Sequence, residues 1–350
     1  MSYIQEVLSE AVKKYPEMEV QDVLKLTYQS EFGCGHLIEN KEASYTMLMD
    51  EWNDEQENDV ELFEIIGNGY ARFNVGAAKS IGISSKVFQR IFLKSTEVQR
   101  GTLSNFYEKV DELKRLCINR LFNFDISEIE SFLSQWEESG RPLFRHSAKY
   151  RKLYKPSYRV VLEEYITMLP ALMQIEDELN EKGKIIIGID GPCGSGKTTF
   201  SNKLAEIYNA QIIHMDDFFL PPALRTEFRL EEAGGNIHYE RFLQEVVTKI
   251  KDVEEFKYRV FSCRRMDYEG EVEIKPYEVL IVEGSYSMHP LYNHIYDVKL
   301  YCDVEANIQK ERIIRRNGLA MYRNFESKWI PMEEKYFNKF KIKEQCDCII

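Results

Sequence analysis

Residues 184–200 read KIIIGIDGPCGSGKTTF. The apolar run 184–189 predicts a strand buried on both faces. It breaks into glycines, then into a lysine and two threonines. From Gly191 to Thr198 the spacing is G-x-x-x-x-G-K-T, a complete phosphate-loop pattern in its required context of strand before and helix after. Gly191, Gly194 and Gly196 let the backbone turn successive N–H groups inward toward anionic oxygens. The helix starting near Gly196 adds the positive end of its dipole. Lys197 can reach the β- and γ-phosphates, Thr198 can offer its hydroxyl to Mg²⁺, and Ser195 and Thr199 complete the candidate phosphate contacts. The loop is therefore expected to hold a nucleoside triphosphate, ATP, with Mg²⁺.

Working outward, strands and helices alternate downstream of the loop. Strands are expected at 184–189, 211–215, 278–283, 297–303 and 346–350, and helices at 196–208, 238–251, 305–317 and 326–340. That alternation argues for an α/β fold with a parallel sheet covered on both faces. The stretch 257–275, KYRVFSCRRMDYEGEVEIK, interrupts it and reads as an inserted hairpin. Upstream, apolar spacings near three and four predict helices at 2–14, 20–30, 42–53, 104–121, 127–138 and 158–179. Gly67-Asn68-Gly69 between β-prone residues predicts a hairpin. The charged stretch IEDELNEKGK, 175–184, marks the boundary. The expected organisation is a mainly helical domain at 1–178 followed by a phosphate-loop domain at 179–350.

Composition narrows the class. At 350 residues the chain has room for two domains of the usual ~100–200 residues each. A net charge of −12 argues against nucleic acid as a partner. No run reaches the ~18 apolar residues of a membrane span, and residues 1–17 lack a signal-peptide core. Cysteines at 34, 117, 193, 263, 302, 346 and 348 form no CxxC pair, so a reduced, cytoplasmic location is expected. Cys346 and Cys348 read as alternating strand positions.

Three further features bear on what is done with the triphosphate. In IIHMDDFFLPP a strand ends at Asp216-Asp217, where a carboxylate can take the proton of an acceptor hydroxyl; an N-cap role is the alternative. In EVLIVEGSYSMHP a strand ends at Glu283, placed to hold Mg²⁺. In QKERIIRRNG, Arg312, Arg315 and Arg316 share one helix face and can neutralise phosphate charge; a solvated basic face is the alternative. The guanine-reading N-K-x-D pattern of GTPases is lacking, which favours phosphoryl transfer to a small molecule.

The ordered set GIDGPCGSGKTT, MDDFF, GGNIHYERF, VLIVEGSY, RIIRRNG and WIPMEEKYF resembles the uridine kinase family of P-loop kinases, which includes nicotinamide riboside kinases. The resemblance covers about 184–350. It implies sheet order 2-3-1-4-5 and ATP-dependent phosphorylation of a hydroxyl, commonly on a ribose. It implies that Asp216 is the catalytic acid–base, that Glu283 is the magnesium-associated acid, and that Arg312 and Arg315 are lid arginines. Lys197 joins them in the catalytic set. The substrate side is expected from Asp216, His238, Tyr258 and Arg265. His238 stands where relatives usually carry Asp. Tyr258 matches the base-binding hairpin, but Arg259 replaces its Asp and Cys263 falls near its His, which removes the polar contacts that read uracil.

The N-terminal half matches no family by its motifs. QSEFGCGHLIEN places Cys34 and His36 near Glu31 and Glu39, which reads better as a glycine-bent loop than as a metal site. Residues 141–159 hold Arg141, Arg145, Lys149, Arg151, Lys152, Lys155 and Arg159 with tyrosines between. They form either an anion site, facing the phosphate-loop site or a polyanion, or a solvated face. Two functions stand: a kinase acting on a small-molecule, nucleoside-like substrate, or a nucleotide-binding sensor that reports ATP to a partner. Assembly as a homo-oligomer is left as an expectation.

Overall fold

The computed structural model describes residues 3–35, 38, 40–55, 60–98, 100–251 and 255–350, and the chain divides into two units, Met1–Leu169 and Pro170–Ile350. The division falls inside the helix Glu164–Lys182, earlier than the boundary expected at 178. The reason is local. Ala171, Leu172 and Ile175 are buried, and the Tyr208 hydroxyl donates to the Leu172 carbonyl, so this part of the helix belongs with the phosphate-loop half.

In the first unit the expected hairpin is present: β1 (Phe63–Gly67) pairs antiparallel with β2 (Tyr70–Asn74). Its turn needs Asn68 and Gly69 at φ of 53° and 74°, which glycine adopts without penalty and asparagine tolerates. A third strand, β3 (Tyr158–Leu162), pairs antiparallel with β2, Tyr70 lying opposite Leu162. The helix expected over 158–179 therefore begins only at Glu164. Tyr158, Val160 and Val161 favour a pleated surface and find one on β2. The helices Tyr3–Lys14, Val20–Phe32, Lys41–Asp54, Leu103–Ile118 and Ile126–Glu138 stand where periodicity placed them. Three more, Val75–Ser80, Ser85–Thr96 and Ala148–Tyr154, were not expected. Alternation along β2 splits the core. Phe73 stacks on Phe88 at 4.2 Å, while Arg72 turns to the helix Val20–Phe32, where it donates twice to Gln29 Oε1.

The second unit holds β4 (Ile185–Asp190), β5 (Gln211–His214), β6 (Phe256–Ser262), β7 (Asp267–Ile274), β8 (Val279–Glu283), β9 (Val298–Tyr301) and β10 (Cys348–Ile349). Five of these form a parallel sheet in the order β10-β9-β4-β8-β5; numbered along the chain, that is 2-3-1-4-5. Every residue of β4 and β8 is buried, as isoleucine- and valine-rich central strands require. The inserted hairpin β6–β7 is a separate two-stranded sheet. The helix expected at 326–340 is the end of a longer path: Leu319–Asn324, a π-type turn at Phe325–Trp329, then Ile330–Phe340.

Where β4 ends, Asp190 is fully buried and accepts four hydrogen bonds. They come from the Gly191 and Tyr286 amides to Oδ1 at 2.7 and 3.1 Å, and from the Met288 amide and the Tyr336 hydroxyl to Oδ2 at 3.0 and 2.8 Å. Burial lifts its pKa to about 6, and the donors keep it ionised at neutral pH. Asp190→Ala would orphan three buried backbone amides, at a cost of about 3 kcal/mol or more. Amide hydrogen exchange on the full chain should show protection in β4 and β8 falling about 100-fold, with β1 to β3 unchanged.

Candidate functional site

The carboxyl ends of β4, β5 and β8 converge on the glycine-rich turn 191–196, the edge of an open parallel sheet where ligands bind. Gly191 has φ of 140°, and a Cβ there would meet the Cys302 carbonyl oxygen at 2.2 Å; at Gly194 it would meet Ile313 at 3.2 Å. The close approach of two backbones thus forces glycine at 191. Gly196, at φ 107°, starts the helix Lys197–Tyr208. The Ser195 hydroxyl is buried without a hydrogen-bond partner among the described residues, whereas Thr198 and Thr199 are exposed.

Lys197 lies folded on its own loop. Its ammonium donates to the Gly191 and Pro192 carbonyls at 2.8 and 3.0 Å and lies 3.3 Å from Ser285 Oγ. Arg312 covers the other side, donating to the carbonyls of Gly194 and Ser195 at 3.2 and 2.9 Å. Arg315 is exposed and makes no hydrogen bond or ion pair among the described residues. Arg316 donates to Asn317.

Thr198 and Glu283 meet as expected. The threonine hydroxyl donates to Glu283 Oε1 at 3.3 Å, and the His214 Nδ1 shares that oxygen at 2.6 Å. The hydrogen bond to Glu283 raises the pKa of His214 against the opposing effect of burial. Asp216 and Asp217 follow β5 on a short 3₁₀ turn, Met215–Phe218. Asp216 opens to solvent at the cleft and makes no hydrogen bond among the described residues. Crowding by the cleft walls and then the charge of Glu283 raise its pKa. Asp217 instead accepts the Tyr258 hydroxyl at 3.1 Å, and Arg241 donates to its main-chain carbonyl.

The expected substrate residues are dispersed. Tyr258 is buried, its ring on Phe218 at 5.2 Å, so only its hydroxyl faces Asp217. Arg259 is bound by its main-chain amide and guanidinium to Glu245. Arg265 pairs with Glu269 at 3.3 Å, exposed on the hairpin. The His238 Nδ1 is buried without a partner among the described residues, with Glu240 4.0 Å from Nε2. Of the metal reading around Cys34, His36 and Glu39 lie outside the described residues. Glu31 is bound by Lys109 and the Thr102 amide, and no group of three metal-type ligands occurs among the described residues.

Sequence reasoning missed three contributors. Glu333, buried, accepts the Cys193 amide at 2.8 Å and the Ser285 hydroxyl at 2.7 Å, holding the phosphate loop from behind. Asp190 anchors the loop's first residue. Arg229 forks onto Glu240 at 2.7 and 2.9 Å and donates to the Gly235 and Ile237 carbonyls, shaping the stretch before His238. The signal for Asp190 was present but weak, a carboxylate closing an otherwise apolar run, whereas Glu333 lies beside Glu334 and Lys335 and carried no such signal.

The loop, its magnesium-type pair Thr198–Glu283 and an open carboxylate suit a nucleoside triphosphate with a divalent cation. Lys197, Ser195 and the amides of 194–198 would hold the phosphates, and Thr198 and Glu283 the cation. Comparison with known proteins agrees in kind. The sequence model of the KAP family P-loop domain matches residues 165–317. The uridine kinase of Borrelia hermsii is 30% identical over 150 residues, covering 41% of this chain and 71% of that protein. Uridine-cytidine kinase D of Dictyostelium discoideum is 26% identical over 134 residues, 37% of this chain and a quarter of that longer protein. A solved structure described as a possible uridine kinase from Bacillus stearothermophilus aligns with 51% of this chain and 100% of its own, at 18% identity and a TM-score of 0.39.

The two arginines of the basic helix should separate experimentally. Without nucleotide, Arg312→Ala should speed amide exchange across 191–198 about three- to tenfold, since it removes two charged donors from loop carbonyls at an exposed site. Arg315→Ala should leave that exchange unchanged.

Proposed function

The chain belongs, through its C-terminal half, to the uridine kinase family of P-loop kinases, and on that premise we propose that it transfers the γ-phosphate of ATP to a hydroxyl of a nucleoside-like small molecule. The observation that carries this reading is the contrast between two adjacent carboxylates. Asp217 is tied to Tyr258, while Asp216 is open to the cleft and close enough to Glu283 for their charges to interact. Asp216 is thus the group able to orient an acceptor hydroxyl and take its proton, its raised pKa matching a general base better than that of an ordinary aspartate. A nucleotide-binding sensor would have no use for such a group.

Bound ATP with Mg²⁺ would supply the phosphoryl group and the counter-charge. Lys197 would exchange its loop carbonyls for phosphate oxygens. Arg312 and Arg315 would close on the developing charge, Arg315 moving further since no hydrogen bond or ion pair among the described residues holds it. The acceptor is not assigned as uridine: His238 replaces the relatives' Asp, Arg259 is held by Glu245, and the Tyr258 ring is in the core. No helix among the described residues is long and apolar enough to cross a membrane. A cytoplasmic kinase is our reading.

The test is a screen of the purified full chain with ATP-Mg²⁺ against nucleosides, vitamins and sugars, with ADP release as readout. With the acceptor found, Asp216→Asn should keep ATP binding and lose turnover by about 10²-fold or more. Lys197→Ala should lose it altogether, while Asp217→Asn should act mainly on acceptor KM. Damage confined to Asp217→Asn would move the base by one residue. No acceptor-dependent ADP release from any compound would favour the sensor.

A further inference from the structure

The basic run 141–159 has no part in the chemistry above. Within residues 1–169 it borders a cavity of about 310 Å³ between the helix Val20–Phe32, the segment 143–146 and the start of β3. A second, open groove of about 540 Å³ shares Lys25, Glu51, Phe144 and His146 with the first and extends along Arg145, Arg151 and Lys155.

Three observations define what such a cavity can hold. The first is charge. Lys25, partly buried, donates to the Phe144 carbonyl at 2.9 Å, and no carboxylate lies within ion-pair reach of it among the described residues. A cation withdrawn from water without an anion is unfavourable unless a ligand supplies one. Burial, then the like charge of Arg72, lower its pKa to about 8, and the charge of Asp22 offsets only part of that. Across the cavity and the groove the described lining carries five cations, Lys25, Arg145, Arg151, Lys155 and Arg159, against two carboxylates, Glu51 and Glu55.

The second is the floor. Asp22, fully buried, accepts His146 Nδ1 at 2.9 Å together with the Ser147 amide and hydroxyl. The proton of His146 therefore sits on Nδ1, and Nε2 accepts the Tyr158 hydroxyl at 2.6 Å. Burial holds this imidazole neutral, its pKa lowered to about 4. Arg72 lies 4.8 Å from the Tyr158 ring centre. The floor's acceptors are thus already engaged, and nothing there is left to receive a cationic ligand.

The third is the wall. Tyr28 and Phe144 pack with ring centres 5.1 Å apart, and Phe92 also lines the cavity, with the Arg159 guanidinium 5.7 Å from its ring centre. Aromatic faces with one basic end are the ordinary receptor for a flat ring that carries an anionic group.

We propose that this cavity is a second ligand site, which binds a small organic anion with a planar ring, its carboxylate or phosphate on Lys25 and Arg159 and its ring against Tyr28, Phe92 and Phe144. Arg159 is available because its partner Glu51, 2.6 Å away, is also bound by the Ser157 hydroxyl at 2.7 Å and keeps a hydrogen bond when the arginine turns.

Pyridoxal 5′-phosphate, an aromatic aldehyde with a phosphate, is the probe. With its phosphate held by Arg159, its aldehyde carbon joins the Lys25 nitrogen with loss of water, and borohydride then supplies the hydride that fixes the imine as a secondary amine. On the full chain, with labelled lysines located by peptide mass, Lys25 should react saturably and about tenfold or more ahead of exposed Lys13. Arg159→Met should raise the half-saturating concentration about tenfold while Lys25 remains reactive. Benzoate and phenyl phosphate are the competitors: protection of Lys25 by the first assigns a carboxylate ligand, and by the second a phosphate. Linear labelling of Lys25 at the pace of Lys13, or protection by neither competitor, would overturn the proposal.

Discussion

A single buried carboxylate, that of Asp190, fixes the three elements that shape the phosphate loop. It ends β4, takes the amide of the loop's first glycine, and receives the amides of Tyr286 and Met288 from the segment after β8 and the hydroxyl of Tyr336 from the helix Ile330–Phe340. Taking a carboxylate out of water costs several kcal/mol, and only a full set of donors offsets it. That requirement explains Tyr286, a non-glycine residue at φ of 77°. The left-handed conformation costs a tyrosine about 1–2 kcal/mol, and its amide reaches Asp190 from there. That hydrogen bond offsets the strain and fixes the turn that carries Ser285, which lies 3.3 Å from Lys197 and donates to Glu333.

The other side of the cleft rests on a second charged set. Glu245 accepts from both Arg241 and Arg259, and Arg241, nearly fully buried, lies 4.2 Å from the Phe218 ring centre while donating to the Asp217 carbonyl. The turn that carries Asp216 is therefore clamped from the hairpin side through its neighbour. Asp216 itself stays unencumbered because the hydrogen bonds needed to hold the turn all fall on Asp217 and on main-chain atoms. Adjacent carboxylates of one sequence motif thereby acquire different roles from what surrounds them, not from their own chemistry.

Local sequence sufficed where a rule acts on a few consecutive residues. The phosphate loop needs glycine where backbones touch and needs its lysine at one spacing, so 191–198 was readable at once. The sheet order came with the family resemblance, because strand order is a long-range property that no local period encodes. What was hidden depended on distant partners. β3 was read as helix because 158–162 alone has no period that excludes one; it is a strand because β2 offers an edge. Tyr258 kept the family's residue type but lies in the core, since Phe218 covers its ring. Glu333 is separated from Cys193 by 140 positions and looked like one acid in a charged helix. The pairing of Lys25 with an aromatic cavity needed residues from four separate segments.

The posture of Lys197, Arg312 and Glu333 has a consequence for selectivity. The loop's carbonyls are already occupied by cations and two of its amides, those of Gly191 and Cys193, by carboxylates, so the chain solvates its own anion site. Entry of a phosphate is then an exchange of partners, and its net gain is the difference between two sets of contacts. A lone small anion replaces few of these and gains little. A polyphosphate long enough to draw Lys197 off Gly191 and Pro192 while engaging the amides replaces them together. The arrangement acts as a threshold on anion length, set by contacts the protein makes within itself.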